Sequence, residues 1–336
     1  MGLLTLNSAM TYDEFLSEWN NGDTTVAVHT SGSTGAPKAM RVEKTRMEAS
    51  ARMTLRFLGL HEGDNALLCL PLDFIAGKMM AVRAAVGKLR LIAVEPSGHP
   101  LATLADDLHI HFAAMVPLQV WNSLGTPEEK QRLEHIDHLI IGGGAIDTAL
   151  EESLRTMPGN VWSTYGMTET LSHIAMRRVN GPEASPWYTP LPGVTVSSTP
   201  DSRLVINAPH LCRKELTTND IVQFDPHRHR FHILGRSDNV ICSGGIKIQA
   251  EEAERLLRPH LPCPFLITKV PDHLLGQAAV LLYEGTPPPD LNDLCRTILP
   301  PHWAPRHIIS VNRLPLTANG KPARAEAERM AREAIR

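Results

Sequence analysis

The stretch His29–Met40, His-Thr-Ser-Gly-Ser-Thr-Gly-Ala-Pro-Lys-Ala-Met, concentrates groups that could grip a phosphate. Thr30, Ser31, Ser33 and Thr34 surround Gly32 and Gly35, and Lys38 follows. Glycines let the backbone approach a ligand closely. Hydroxyls and freed N–H groups can wrap phosphate oxygens, with the lysine as a point charge. The common P-loop is excluded, because it needs Gly-Lys-Ser/Thr. Here Ala36 and Pro37 separate Gly35 from Lys38, and Ala39 follows the lysine. Downstream, Gly142-Gly143-Gly144-Ala145 and Tyr165-Gly166-Met167-Thr168-Glu169-Thr170 offer further backbone donors, a hydroxyl, an aromatic ring and a carboxylate. His227, His229 and His232 alternate at a polar hairpin without nearby acids or cysteines, a poor set for a metal. His109 and His111 read as strand residues.

Those groups need elements to hold them. Thr24–Val28 reads as a strand before the first loop. Thr11 with Glu14 predicts a capped helix over 11–20, and Lys44–Leu58 a helix ending at Gly59. Strands are expected at 65–70, 90–94, 110–116, 137–141 and 160–163. Helices are expected at 75–89, 102–107, 127–134 and 148–155. This alternation predicts a parallel α/β sheet, and ligands sit beyond the carboxyl ends of such strands. Loops 29–38, 142–145 and 163–170 would then open on one edge. From about Thr189 short strands at 194–198, 203–207, 220–224 and 230–234 predict a small antiparallel or barrel-like subdomain. From Gly235 a compact α+β unit follows, closed by a mixed-charge helix over 324–336 that should be solvated.

The 336 residues carry a net charge of −3, so nothing marks a surface for nucleic acid. The five cysteines lie apart with no Cys-x-x-Cys pair, as free thiols in a reducing cytoplasm would. No apolar run reaches the roughly 20 residues of a membrane helix. A secretory leader pattern is missing at the N-terminus, and no signal for an oligomeric state is present.

Five ordered segments together resemble the acyl-adenylate-forming (AMP-binding) ligase superfamily. They are Thr30–Lys38; Tyr165–Thr170; Leu216-Thr217-Thr218-Asn219-Asp220; Leu234-Gly235-Arg236-Ser237-Asp238-Asn239 with Ser243-Gly244-Gly245; and Leu314–Lys321. The resemblance implies ATP, Mg²⁺ and CoA as cofactors and a small carboxylic acid as substrate. An acid–thiol ligase of this kind makes acyl-AMP, then a thioester. Thr30, Ser31, Gly32, Ser33, Thr34, Gly35 and Lys38 would hold the β- and γ-phosphates. Gly143, Gly144 and Ala145 would border the base, Tyr165 with Gly166 would lie against adenine, and Thr168 would touch the α-phosphate. Glu169 would ligate Mg²⁺. Asp220 and Arg236 would bind the ribose, although Asn219 replaces a glycine found in many relatives. Asp238 would be the hinge, Gly244 and Gly245 would line the pantetheine path, and Lys321 would be the catalytic lysine. The implied domains are 1–235, binding nucleotide and acid, and 236–336, small and mobile.

The phosphate loop begins at residue 29, whereas many relatives carry an N-terminal subdomain before it. Together with 70–80 and 168–175, this resembles compact bacterial o-succinylbenzoate–CoA ligases of menaquinone synthesis. Such an acid carries two carboxylates, so a spare cation is needed. Lys78 and Arg83 lie in an apolar helix, about 140° apart around its axis. Lys78 shares a face with Phe74 and is the first choice, with Arg83 as the other cation and His173 as an added donor. Two other readings stand beside this one. They are an adenylating enzyme that loads a carrier protein or takes another acid, and a nucleotide-binding regulator without catalysis.

Overall fold

Residue types near the N-terminus set the first helix, Tyr12–Asn20: the Thr11 hydroxyl accepts the Glu14 N–H, and the Glu14 carboxylate accepts the Thr11 N–H at 2.7 Å. This capping box satisfies two donors that a helix start leaves open. The computed structural model describes residues 10–29, 39–226, 229–316 and 322–335. Helix Lys44–Leu58 ends at Gly59, whose φ of +68° suits a residue without a β-carbon.

One strand expectation is corrected here. Thr25–His29 does not join the parallel sheet. It pairs antiparallel with Ala39–Glu43, His29 facing Ala39, as a separate two-stranded ribbon. The segment between these strands, with Thr30, Ser31, Gly32, Ser33, Thr34, Gly35 and Lys38, lies outside the described residues, as does Lys321.

The central sheet has seven strands, in the order Arg90–Ala93, Asn65–Leu68, Ile110–Met115, Ile136–Ile141, Asn160–Gly166, His173–Arg178 and Thr189–Pro190. The first five run parallel, and each of the last two runs antiparallel to the strand before it. The parallel strands are apolar runs because helices cover their faces. Phe112, Ala113, Leu139, Ile141, Met79, Met80 and Val82 are buried together in that core. Residues 102–107 form turns instead of the expected helix, and Pro117–Leu124 is a helix begun by its own proline.

Strands Thr195–Ser198, Arg203–Asn207, Leu216–Phe224 and Phe231–Arg236 form a four-stranded sheet in that order. The described chain divides into two compact units. One holds residues up to Ser197, with Val205–Leu216 and Asp225–Phe231; the other holds Ser198–Leu204, Thr217–Phe224 and the residues from His232 onward. The second unit contains a five-stranded sheet built on the hairpin Phe265–Asp272 and Gly276–Glu284. Ile267, Ala279 and Leu281 pack on one face under helices Ala250–Leu257 and Leu291–Ile298. Val280 and Leu282 pack on the other against Ala327 and Ala331 of helix Arg324–Ile335. That last helix is therefore half-buried, not solvated all round.

Candidate active site

Strands Ile136–Ile141 and Asn160–Gly166 are parallel neighbours, so the loops that follow them open on the same edge. After the first, Gly143 takes φ +76°, and its exposed backbone passes beside Val116. Gly144 passes beside Pro117, and Ala145 is exposed. After the second, the chain reverses within six residues and pairs back on the same strand through His173–Arg178. Gly166 is needed there: a β-carbon would sit 2.2 Å from the Ser172 carbonyl oxygen.

The turn is pinned from inside. The buried Thr170 hydroxyl accepts the Met167 N–H at 2.9 Å and donates toward the Met167 and Ser172 carbonyls at 3.0 and 2.7 Å. Thr168 and Glu169 ride on this turn, Glu169 exposed and with no ion pair among the described residues. Cys212 donates its thiol hydrogen to the Glu169 carbonyl at 3.3 Å. Tyr165 is buried edge-on against Phe231 and Tyr188, with ring centres 5.4 and 6.0 Å away.

The other end of the turn meets a buried cation. Arg83, 2% exposed, donates from Nη2 to the Ser172 hydroxyl at 2.5 Å and from Nε to the Thr54 hydroxyl at 3.2 Å. His173 lies between the same two hydroxyls, Nε2 3.0 Å from Thr54 and Nδ1 3.3 Å from Ser172. Thr54 also donates to the Ser50 carbonyl at 3.2 Å. One proton assignment satisfies all of these contacts: His173 Nε2–H donates to Thr54, and the Ser172 hydroxyl donates to Nδ1. Burial, with Arg83 beside it, holds His173 well below its usual 6.5, so the ring is neutral. Burial pushes the Arg83 guanidinium down to about 9, which leaves it charged at neutral pH. No carboxylate pairs with Arg83 among the described residues, and its remaining close neighbour is the Met80 sulfur at 3.7 Å.

Lys78 is placed differently. It is equally buried, but its ammonium meets Glu18 at 3.2 Å and lies over the Phe15 ring at 5.2 Å. Its charge is already balanced within the protein. Phe74 is half-buried at the N-terminal end of the same helix. The expectation that Lys78 and Arg83 face apart holds, and of the two Arg83 is the cation without an acid. Thr54 and Ser172 were not singled out from sequence. The available signal was two hydroxyl residues, Ser50 and Thr54, four apart on the buried stripe of a helix.

In the second unit, Asp220 lies 3.5 Å from Arg236, and Arg236 donates to Asp238 at 2.6 Å. Gly244 and Gly245 take φ +57° and +83° as the two central residues of the hairpin joining Val240–Ser243 to Ile246–Gln249. Two successive left-handed positions are what this turn type requires, so both glycines are dictated locally.

His109, His111 and Asp137 bring three potential ligand atoms within 4.8 Å. They lie at the opposite edge of the sheet, where Ile110–Met115 and Ile136–Ile141 begin. The Asn65 N–H donates to His111 Nδ1 at 3.0 Å, so Nδ1 is an acceptor and the ring proton sits on Nε2, and His109 Nε2 meets Asp137 at 2.8 Å. Both rings are committed to hydrogen bonds, an arrangement that does not fit a metal.

The AMP-binding enzyme family model matches residues 7–200. The chain belongs to the AMP-binding enzyme family. Among solved structures, an acyl-CoA synthetase (AMP-forming)/AMP-acid ligase II-like protein from Dyadobacter fermentans is 31% identical with a TM-score of 0.66. That match covers 98% of this chain and 96% of the other. Among curated proteins, the 2-succinylbenzoate–CoA ligase of Escherichia coli is 28% identical over 270 residues, 76% of this chain. This AMP-binding enzyme spans 57% of that ligase's length. A probable 2-succinylbenzoate–CoA ligase of Mycobacterium tuberculosis is 28% identical over 343 residues, covering 92% of this chain and 85% of its own.

Proposed function

We propose that this AMP-binding enzyme is an acid–CoA ligase that uses ATP and Mg²⁺, with 2-succinylbenzoate as its acid, and serves menaquinone synthesis in the cytoplasm. The observation that carries the choice of acid is Arg83, a buried guanidinium facing hydroxyls and a neutral imidazole but, among the described residues, no carboxylate. A buried cation without an acid partner is costly unless a ligand completes it. An acid with a second carboxylate supplies that partner while its first carboxylate reacts. His173, Ser172 and Thr54 fix the guanidinium's orientation. The relatives named for 2-succinylbenzoate support the same acid.

In this reading residues 1–235 bind nucleotide and acid, and 236–336 carry the catalytic lysine. The acid's reacting carboxylate oxygen attacks the α-phosphorus of ATP, the bond to the β-phosphate oxygen breaks, and pyrophosphate leaves. The CoA thiolate then attacks the acyl carbon and AMP leaves. Thr30, Ser31, Ser33, Thr34 and Lys38 grip the departing phosphates, with Gly32 and Gly35 allowing the approach. Thr168 holds the α-phosphate. The exposed Glu169 carboxylate, with no ion pair among the described residues, suits a hard cation that keeps most of its waters. Glu169 would hold Mg²⁺ there, and the ion would offset phosphate charge. Tyr165 borders adenine with Gly166, Gly143, Gly144 and Ala145. Asp220, oriented by Arg236, accepts from the ribose hydroxyls. Lys321 places its charge between carboxylate and α-phosphate. Gly244 and Gly245 line the path of the thiol arm, and Asp238 is the pivot between half-reactions.

Pyrophosphate release with ATP and a panel of aryl, fatty and dicarboxylic acids, with and without CoA, tests this. Release specific to 2-succinylbenzoate, with thioester formed on free CoA, is expected. Equal release with acids lacking a second carboxylate sinks the assignment of the acid.

A further inference from the structure

Two acidic residues on one helix hold the segment just after Asp238 and the start of the last helix. Helix Ala250–Leu257 places Glu251 and Glu254 three positions apart, on neighbouring parts of its surface. Glu254 takes Arg324 through both oxygens, at 2.7 and 2.8 Å, and accepts the Ile267 N–H at 2.7 Å. Arg324 begins helix Arg324–Ile335, just after the Leu316–Pro322 bridge and the Ala323 N–H bond to the Pro315 carbonyl at 2.9 Å. It stands three positions after Lys321 in sequence.

Glu251 holds the other segment. Its Oε1 accepts from the Asn239 side-chain amide, one residue past Asp238. Arg324 Nη2 is 3.9 Å from that same oxygen. Glu251 Oε2 is buried with no hydrogen-bond partner among the described residues. It presses on Gly235, where a β-carbon would sit 2.6 Å away. Buried polar atoms are rarely left unsatisfied, and those that are commonly mark a strained or switching arrangement. Here Oε1 stands between Asn239 and Arg324, and losing Asn239 leaves Arg324 as its nearest donor.

We propose that Glu251 is a positioning residue that latches Asn239, and thereby sets how readily the chain turns at Asp238 and how the two half-reactions are balanced. Both the turning at Asp238 and the balance of half-reactions rest on the ligase reading above; the Glu251–Asn239 latch itself does not. Holding one of two hinge states shifts both half-reactions in opposite senses, because each needs a different state.

The test uses the full chain as wild type, Asn239→Ala and Glu251→Gln. Glutamine keeps a carbonyl acceptor for the Asn239 amide. Hydrogen exchange of residues 235–243 reads the latch without any substrate. Asn239→Ala should raise it by about tenfold, while Glu251→Gln stays near wild type. Half-reaction rates read the role. They are pyrophosphate release from ATP and 2-succinylbenzoate without CoA, and thioester formation from synthetic 2-succinylbenzoyl-adenylate with CoA. Asn239→Ala should change their ratio by about tenfold, and Glu251→Gln should keep it within about threefold. Unchanged exchange overturns the latch. Raised exchange with both rates falling together overturns the positioning role and leaves only a structural one. A wild-type chain that makes neither product sinks the ligase reading and the balance with it, while exchange still decides the latch.

Discussion

Arg83 and Lys78 look alike in sequence, two cations in one apolar helix, and opposite in their surroundings. Lys78 has Glu18; Arg83 has hydroxyls and a neutral ring. Substitutions should separate them. Arg83→Met should raise KM for 2-succinylbenzoate by about 30–100-fold, the worth of a charge-assisted pair, and leave KM for ATP nearly unchanged. Lys78→Met should instead lower stability by about 2–3 kcal/mol by stranding Glu18, with KM for the acid unmoved. The reverse pattern in steady-state kinetics would return the clamp to Lys78. His173 gives a pH dependence whose sign is fixed. Its folded pKa lies below the unfolded 6.5, so between the two the unfolded chain binds the extra proton. Its contribution is complete above about pH 6.5 and is lost as pH falls toward the folded value. Denaturant titrations from pH 7.5 to 5 should show stability falling, with a shallower slope in His173→Asn. Sequence narrowed the cation to two residues and preferred Lys78, because Glu18, the acid that pairs with it, lies 60 positions away and meets it only in the fold.

At the scale of elements, legibility followed how local the determining contact is. The Thr11–Glu14 cap, the Gly59 stop and the helix Pro127–Glu134 depend on neighbours in sequence, and they read correctly. Ala39–Glu43 was missed because its pairing partner, Thr25–His29, is not its neighbour in sequence. His173–Arg178 is not legible as a strand because His-Ile-Ala-Met-Arg-Arg carries no apolar–polar alternation; it is a strand because it returns on Asn160–Gly166. Residues 102–107 carry helix formers, yet Arg132 takes the Leu101 and Ala102 carbonyls at 2.9 and 3.0 Å and holds them as turns. Within the hairpin, Gly166→Ala forces a β-carbon onto the Ser172 backbone. It should destabilise by about 2–3 kcal/mol, as overpacking does, and impair ATP and acid binding together. A variant with normal melting temperature and normal KM values would show that the turn can relax.

At the scale of the whole molecule, the five ordered motifs carried the family before any coordinate, since each is a short run with its own backbone demand. What they could not convey is the division of labour between distant segments. Lys321→Ala should abolish pyrophosphate release from ATP and acid yet retain thioester formation from supplied acyl-adenylate. Lys38→Ala should weaken ATP use and spare that second step. Equal losses in both half-reactions for either variant would contradict the assigned roles.

The reversal at 167–172 has a consequence for anyone redesigning the specificity of this enzyme. Thr168 and Glu169 sit on the same six residues that deliver Ser172 to Arg83, and Thr170 ties the two ends together. Under the roles proposed for these residues, grafting a new acid pocket one side chain at a time would drag the nucleotide's contacts with it. The transplantable cassette is the whole reversal, from Tyr165 to His173, carried over with Thr54 and Arg83 as a set.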